Sequence, residues 1–326
     1  MTDPVRVLNL VTNPEARFFV QQVDALESLG IECVNMAPRG KNWQTDQHSN
    51  SRSAIDYMLF YPRVLKESFG PYDLIHANYG LTAPAATLQP NLPVVLSLWG
   101  SDLHGKYGPL SQQCAKRVDA VIVMSEEMAD ELDVESYVIP HGVDLDRFSP
   151  GSMREARDTV GWEQDAIQVL FPYPKQRAVK DYPRAERVVD AIRAEFDEPI
   201  ELQTLYDIPH EEMPNYMNAA DVLLMTSKHE GSPNAVKEAM ACNLPVVATD
   251  VGDVRERLDG VDPSFVCRTD EELIDGLSAV LERRERSNGR EVIRPLSVAN
   301  MGRQIADVYA SVLGREVAPM NSAPPT

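Results

Sequence analysis

Two doubly wound parallel-sheet α/β domains are the architecture this chain predicts, and three observations carry that expectation. The 326 residues are more than one ordinary domain needs and suit two. Each half alternates short apolar runs with helix-periodic stretches, the pattern of strands joined by crossover helices. The segment 223–252 reads strand, loop, helix, strand. Two short strands joined by a helix form a parallel unit, and its crossover is right-handed.

The elements follow in order. Residues 6–11 form the first expected strand. Residues 16–29 form a helix stopped by Gly30, and 31–36 the next strand. Further strands are expected over 74–77, 94–98, 120–124 and 137–139, and the domain boundary near 148–151. The second half offers strands at 168–171, 200–205, 222–225, 245–248 and 265–267. Residues 297–313 carry helical apolar spacing, and the last dozen residues, through Thr326, read as a frayed tail. The expected domains are therefore 1–149 and 150–314, followed by a tail over 315–326.

Composition narrows the function. A formal net charge of −19 argues against a nucleic-acid partner and against broad adhesion to an anionic bilayer, leaving at most peripheral membrane contact. The four cysteines form no C-x-x-C pair and read as core thiols in a reducing compartment. The six histidines lack metal-ligand spacing, so no metal is expected. No signal peptide precedes Val5, and no apolar run reaches the roughly 18 residues of a membrane span. A cytoplasmic chain is expected. Oligomeric state has no readable signal.

The chemistry concentrates in 223–252. Ser232 reads as an N-cap with Pro233 at the first helical position, and 235–242 is rich in helix formers. Asn243 breaks the helix before the next strand. A helix N-terminus carries unpaired N–H groups and partial positive charge, which suits a phosphate. Pro233 has no N–H, so the donors would be the amides of Ser232, Asn234 and Ala235. Glu230 lies in the loop and Glu238 about a turn and a half into the helix, where side chains lean back toward the N-terminus. Two carboxylates can thus approach one ligand and accept hydrogen bonds from paired hydroxyls. Phosphate and diol together suggest a sugar nucleotide.

E-G-S-P-N-A-V-K-E-A-M-A at 230–241, followed by L-P-V-V-A-T-D-V-G, resembles the E-x(7)-E signature of the family 4 glycosyltransferases. Four other segments resemble that family's motifs, in family order. They are Y-D-L-I-H-A-N-Y-G at 72–80, L-W-G-S-D at 98–102, V-I-P-H-G-V-D-L-D-R-F-S-P at 138–150 and M-P-N-Y-M-N-A-A-D at 213–221. The resemblance runs over roughly 5–315. It implies the GT-B fold, two Rossmann-like domains with a cleft between them, and a retaining, metal-independent transfer. The last helix, about 297–314, would cross back onto the N-terminal domain.

The resemblance also assigns roles. Glu238 would hold the donor ribose, and Glu230 would contact the transferred sugar. An arginine and a lysine grip the donor diphosphate in many relatives. Here Arg177 and Lys180 are favoured, with Lys175 and Lys180 the competing pair, since a guanidinium binds phosphate as a fork and an ammonium as a point charge. Tyr206 and Ile208 are placed either to flank a nucleobase or to pack their loop. The N-terminal domain would bind the acceptor. Trp99, Gly100, Ser101 and Asp102 follow a strand end that faces the cleft. Trp99 stands where many relatives have histidine, and either stacks on a sugar or fills the core. Asp102 would position an acceptor hydroxyl or act as a base. His76 either points to the cleft or is a satisfied structural histidine. The loop after the first strand lacks the family's glycine pair, so either side chains such as Asn13 or Arg17 take over there or the acceptor binds differently. His141 replaces the usual asparagine at a hinge position, and acceptor choice is expected in loops such as 41–53.

The resulting expectation is a glycosyltransferase moving a sugar from a UDP-, GDP- or ADP-type donor to a carbohydrate or lipid-linked acceptor hydroxyl, with no cofactor. Two other readings fit the same site: a sugar-nucleotide epimerase of this fold, and a non-catalytic sugar-nucleotide-binding partner subunit.

Overall fold

The computed structural model describes residues 4–40, 52–100, 102–103 and 105–317. Ser101 and most of the 41–53 loop lie outside the described residues. The chain divides into two compact units. Unit 1 comprises Met1–His141 and Val298–Thr326, and unit 2 comprises Gly142–Ser297.

Unit 1 holds six strands, β1 (Arg6–Leu10), β2 (Glu32–Met36), β3 (Leu74–Ala77), β4 (Val94–Ser97), β5 (Ala120–Val123) and β6 (Tyr137–Val138). They lie in the order β2-β1-β3-β4-β5-β6, all parallel. β3, β4 and β5 are buried along their whole length. Strands covered on both faces read as unbroken apolar runs, which is why the sequence showed them. The Arg17–Ser28 helix buries Phe19, Gln22, Val23, Ala25 and Leu26. Gly30 follows in the left-handed region (φ +82°), turning the chain into β2. The Val298–Leu313 helix packs on it, burying Met301, Gly302, Ile305, Ala306, Val308 and Tyr309. A side chain at Gly302 would come within 2.8 Å of Ala25 Cβ, so the missing one sets the helices' approach.

Unit 2 holds β7 (Ile167–Phe171), β8 (Ile200–Thr204), β9 (Val222–Met225), β10 (Val246–Thr249) and β11 (Phe265–Cys267). Their order is β11-β10-β9-β7-β8, again all parallel. The two doubly wound sheets are those expected, with every expected strand present to within one residue at either end.

Each sheet reverses direction once. In unit 1 the chain runs from β1 out to β2 and returns to β3 on β1's other side. In unit 2 it runs from β7 to β8 and returns to β9. Loops at the carboxyl ends of the two strands flanking such a reversal part to opposite faces and leave a crevice. The loops in question are those after β1 and β3 in unit 1, and after β7 and β9 in unit 2.

The units divide at His141/Gly142, several residues before 148–151. The reason lies in how 143–148 is held. The Val143 amide donates to the Leu296 carbonyl (2.8 Å), and Phe148 is buried in the unit 2 core. The Arg290 guanidinium donates to the carbonyls of Leu145, Phe148 and Ala241. Among the described residues no helix is long and apolar enough to cross a membrane.

Candidate functional site

In unit 2 the loops after β7 and β9 are joined. The Thr226 hydroxyl donates to the carbonyls of Lys180 and Asp181, and the Lys228 amide donates to the Val179 carbonyl. Lys180 is brought inward by this stitching and is buried. Its ammonium pairs with the Glu230 carboxylate and stands 3.9 Å above the Tyr173 ring. Burial pushes the Lys180 pKa down, opposed by the Glu230 charge. Tyr173 is itself buried, which raises its phenol pKa, and the charge of Glu230 raises it further. Arg177 is exposed, its guanidinium 5.9 Å from the same ring. Lys175 turns elsewhere, 4.5 Å over the Tyr182 ring. Arg177 and Lys180 therefore share Tyr173, and Lys175 does not join them.

The Glu230–Ser232 loop rests on Gly252. A Cβ there would lie 2.1 Å from the Gly231 carbonyl oxygen and 2.7 Å from that of Glu230, and Gly252 sits at φ +56°. The Asp253 amide also donates to the Gly231 carbonyl (2.9 Å). The helix begins at Asn234 with Pro233 as its cap, one residue later than expected. Proline's fixed φ suits the cap position, and Ser232 is left outside the helix. Its hydroxyl accepts from the Lys237 ammonium (3.1 Å) instead of capping. Asn234 and Ala235 open the helix.

Glu238 is buried, and its Oε1 lies 2.9 Å from His210 Nε2. Tyr206 stands 73% exposed after β8, whereas Ile208 packs against the unit 2 core. The two expected base contacts are thus unlike, and only Tyr206 presents its ring to solvent.

Unit 1 holds two of the expected residues inside its core. His76 is fully buried, with Nδ1 2.6 Å from the Tyr309 hydroxyl and Nε2 2.8 Å from the Ser97 hydroxyl. Burial drives its pKa down to about 3. A histidine in mid-sheet with both nitrogens engaged belongs to the core and does not point to a cleft. Asp102 is also buried, with Oδ1 accepting from the Trp99 amide (2.7 Å) and Oδ2 from the Gly80 amide (2.8 Å). Those bonds tie the loop after β4 to the loop after β3 and engage both carboxylate oxygens of Asp102.

Trp99 is half-buried, its indole N–H donating to the Asn78 carbonyl (3.0 Å) and its ring 4.4 Å from Phe18. The His141 ring, 6.1 Å from Trp99, completes an aromatic cluster. Gly100 supplies the left-handed turn (φ +84°) beside it. Asn13 Oδ1 accepts from the Glu15 amide (3.2 Å), closing the loop after β1. An amide ladder runs from buried Gln22 to Asn78 (2.7 Å), from Asn78 to Asn9 (3.2 Å) and from Asn9 out to exposed Asn35 (3.1 Å).

Sequence reasoning missed Tyr173, His210 and Lys237. Lys237 stands inside the E-x(7)-E segment, yet a helical lysine reads as surface. Here it is 1% exposed between Ser232 and the Asp253–Arg257 pair, and burial pulls its pKa down to about 8.

Comparison with known proteins places this geometry. The family described as Glycosyltransferase Family 4 matches residues 16–147, and the one described as Glycosyl transferases group 1 matches residues 181–283. The two matches fall on successive stretches of the chain. A Bacillus subtilis protein designated as the teichuronic acid biosynthesis glycosyltransferase TuaC is 28% identical over 211 residues, 56% of this chain and 54% of its own length. The lipopolysaccharide core biosynthesis mannosyltransferase LpsB of Rhizobium meliloti is 27% identical over 235 residues, 61% of this chain and 67% of its own. The chain thus spans about half to two thirds of these curated relatives. Among solved structures, sucrose-phosphate synthase from Thermosynechococcus elongatus superposes with a TM-score of 0.73 at 17% identity, covering 95% of this chain and 99% of that one. HepE of Anabaena, solved with UDP and glucose, gives 0.69 at 15% identity, covering 94% and 100%. At such identities the likeness shows the fold, the GT-B pair of Rossmann-like domains.

Proposed function

We propose that this protein is a retaining glycosyltransferase that moves a sugar from a nucleoside diphosphate sugar to an acceptor hydroxyl in polysaccharide, glycolipid or glycan biosynthesis. One observation carries the reading. The Lys180–Glu230 pair over Tyr173 and the Glu238-bearing helix lie at the carboxyl ends of β7 and β9, where the unit 2 sheet reverses. Relatives named for teichuronic acid and lipopolysaccharide synthesis support the acceptor class, and the UDP and glucose bound by HepE support a UDP-type donor.

The chemistry follows from charge. As the glycosidic bond to the diphosphate breaks, negative charge develops on the leaving phosphate. Lys180, Arg177 and the N-terminus of the Asn234–Ala241 helix meet it with positive charge that is already in place, so little reorganisation accompanies the step. Glu238 accepts hydrogen bonds from the ribose diol, and Glu230 sits beside the transferred sugar. The acceptor hydroxyl attacks from the face the phosphate leaves, and the departing phosphate takes its proton. The configuration at the anomeric carbon is thereby kept. The family resemblance supports the retaining course and the absence of a metal requirement.

Calorimetric titration with UDP, GDP, ADP, CMP and dTDP tests the donor site. One diphosphate should bind, and Arg177→Ala and Glu238→Ala should each weaken it. No binding by the unaltered protein to any of the five would remove the basis for the reading.

A further inference from the structure

His210 opens the short turn His210–Glu212 after β8, just outside the 213–221 motif. Its side chain is nonetheless mostly buried, with 15% of its surface exposed, and it is held on three sides. Nε2 lies 2.9 Å from Glu238 Oε1. Nδ1 lies 3.2 Å from an Arg147 guanidinium nitrogen. The Phe148 ring packs against the imidazole at a centroid distance of 5.1 Å.

These contacts decide the tautomer. A guanidinium only donates, so Nδ1 must accept and the ring proton sits on Nε2. Nε2–H then donates to Glu238 Oε1, a hydrogen bond strengthened by the carboxylate's charge. The chain Arg147–His210–Glu238 runs one way, from cation to carboxylate, and fixes the plane of the glutamate. A carboxylate must be held in plane to accept two hydrogen bonds from one diol. Arg147 is itself placed by Asp144, 3.7 Å away.

We infer that His210, oriented by Arg147, is a positioning residue for Glu238, presetting its carboxylate for the donor's ribose diol. The inference rests on the donor-site reading above.

Calorimetry with UDP, GDP, ADP, CMP and dTDP as probes, on the full chain, tests it as a double-mutant cycle. His210→Ala should weaken the nucleotide that binds by roughly tenfold, the usual worth of a lost hydrogen bond to a charged group. In a Glu238→Ala background the same change should cost nothing further, because there is no carboxylate left to orient. His210→Gln, whose amide N–H can replace Nε2–H, should recover most of the binding, and His210→Leu should not. Imidazole nitrogen NMR should report a proton on Nε2 of His210 in the unaltered protein and a mixture of tautomers in Arg147→Ala. Additive losses in the cycle, or His210→Leu binding like the unaltered protein, would overturn the inference and leave the donor site standing. If the unaltered protein binds none of the five, both fall together.

Discussion

Two glutamates govern how this protein answers to substitution at the site, and one buried histidine how it answers to acid. Glu230 and Glu238 are eight residues apart in sequence and differ in setting. Glu230 is tied to a cation at the phosphate end of the site and Glu238 to His210. Glu238→Ala should therefore raise the donor KM with turnover little changed, and Glu230→Ala should chiefly lower kcat. Equal, small effects from both would undo that division of labour. His76 sets an acid limit. An unfolded histidine takes up its proton near pH 6.5, whereas folded His76 holds out to about 3. Between those values the unfolded state binds the additional proton. The contribution to stability is thus complete above pH 6.5 and drains away as pH falls toward 3. His76→Gln should flatten that acid limb when urea unfolding is followed across the window. An unaltered slope would mean that other groups carry it.

At the scale of elements, the loop bearing Glu230 takes its shape from backbone contact with Gly252. Gly252→Ala would drive a methyl into the Gly231 carbonyl, 2.1 Å away, at a φ that L-residues avoid. Left-handed backbone alone costs roughly 1–2 kcal/mol. The variant should melt earlier and bind the diphosphate at least about tenfold more weakly, the loss being read by calorimetry. Binding equal to that of the unaltered protein would show that the loop does not depend on this contact. The pattern explains what the sequence could show. Strands such as β4 and β9 are fully buried apolar runs, and composition alone marks such runs. The E-x(7)-E segment was legible because it is one unbroken stretch, a loop and the helix that follows it. Tyr173 under Lys180, His210 on Glu238 and Lys237 beneath Ser232 are contacts between segments tens of residues apart or burials imposed by packing, and no local pattern encodes them. For the same reason the sequence left His76 open between cleft and core and did not show what holds Asp102. Their motif positions were clear, but partners supplied by Tyr309, Ser97 and Gly80 decide what they can do.

At the scale of the whole chain, the two units depend differently on its last segment. Unit 2 is one continuous stretch, Gly142–Ser297, and its core draws on no residue outside it. Unit 1 is discontinuous and is completed by the Val298–Leu313 helix, which gives its core Met301, Ile305, Val308 and Tyr309 and gives His76 its hydroxyl partner. Burying each such side chain is worth roughly 1.5–3 kcal/mol, so together they rival the whole net stability of an ordinary domain, about 5–15 kcal/mol. A chain ending at Ser297 should therefore lose the cooperative unfolding of unit 1, expose apolar surface and leave unit 2 folded. Scanning calorimetry should show one transition remaining. If the donor site lies wholly within unit 2, the shortened chain should still bind the diphosphate that the full chain binds, with the same Arg177 and Glu238 dependence. Retention of the unit 1 transition would mean that the helix is dispensable to its core. Loss of nucleotide binding from a unit 2 that remains folded would mean that the donor site draws on residues outside 142–297.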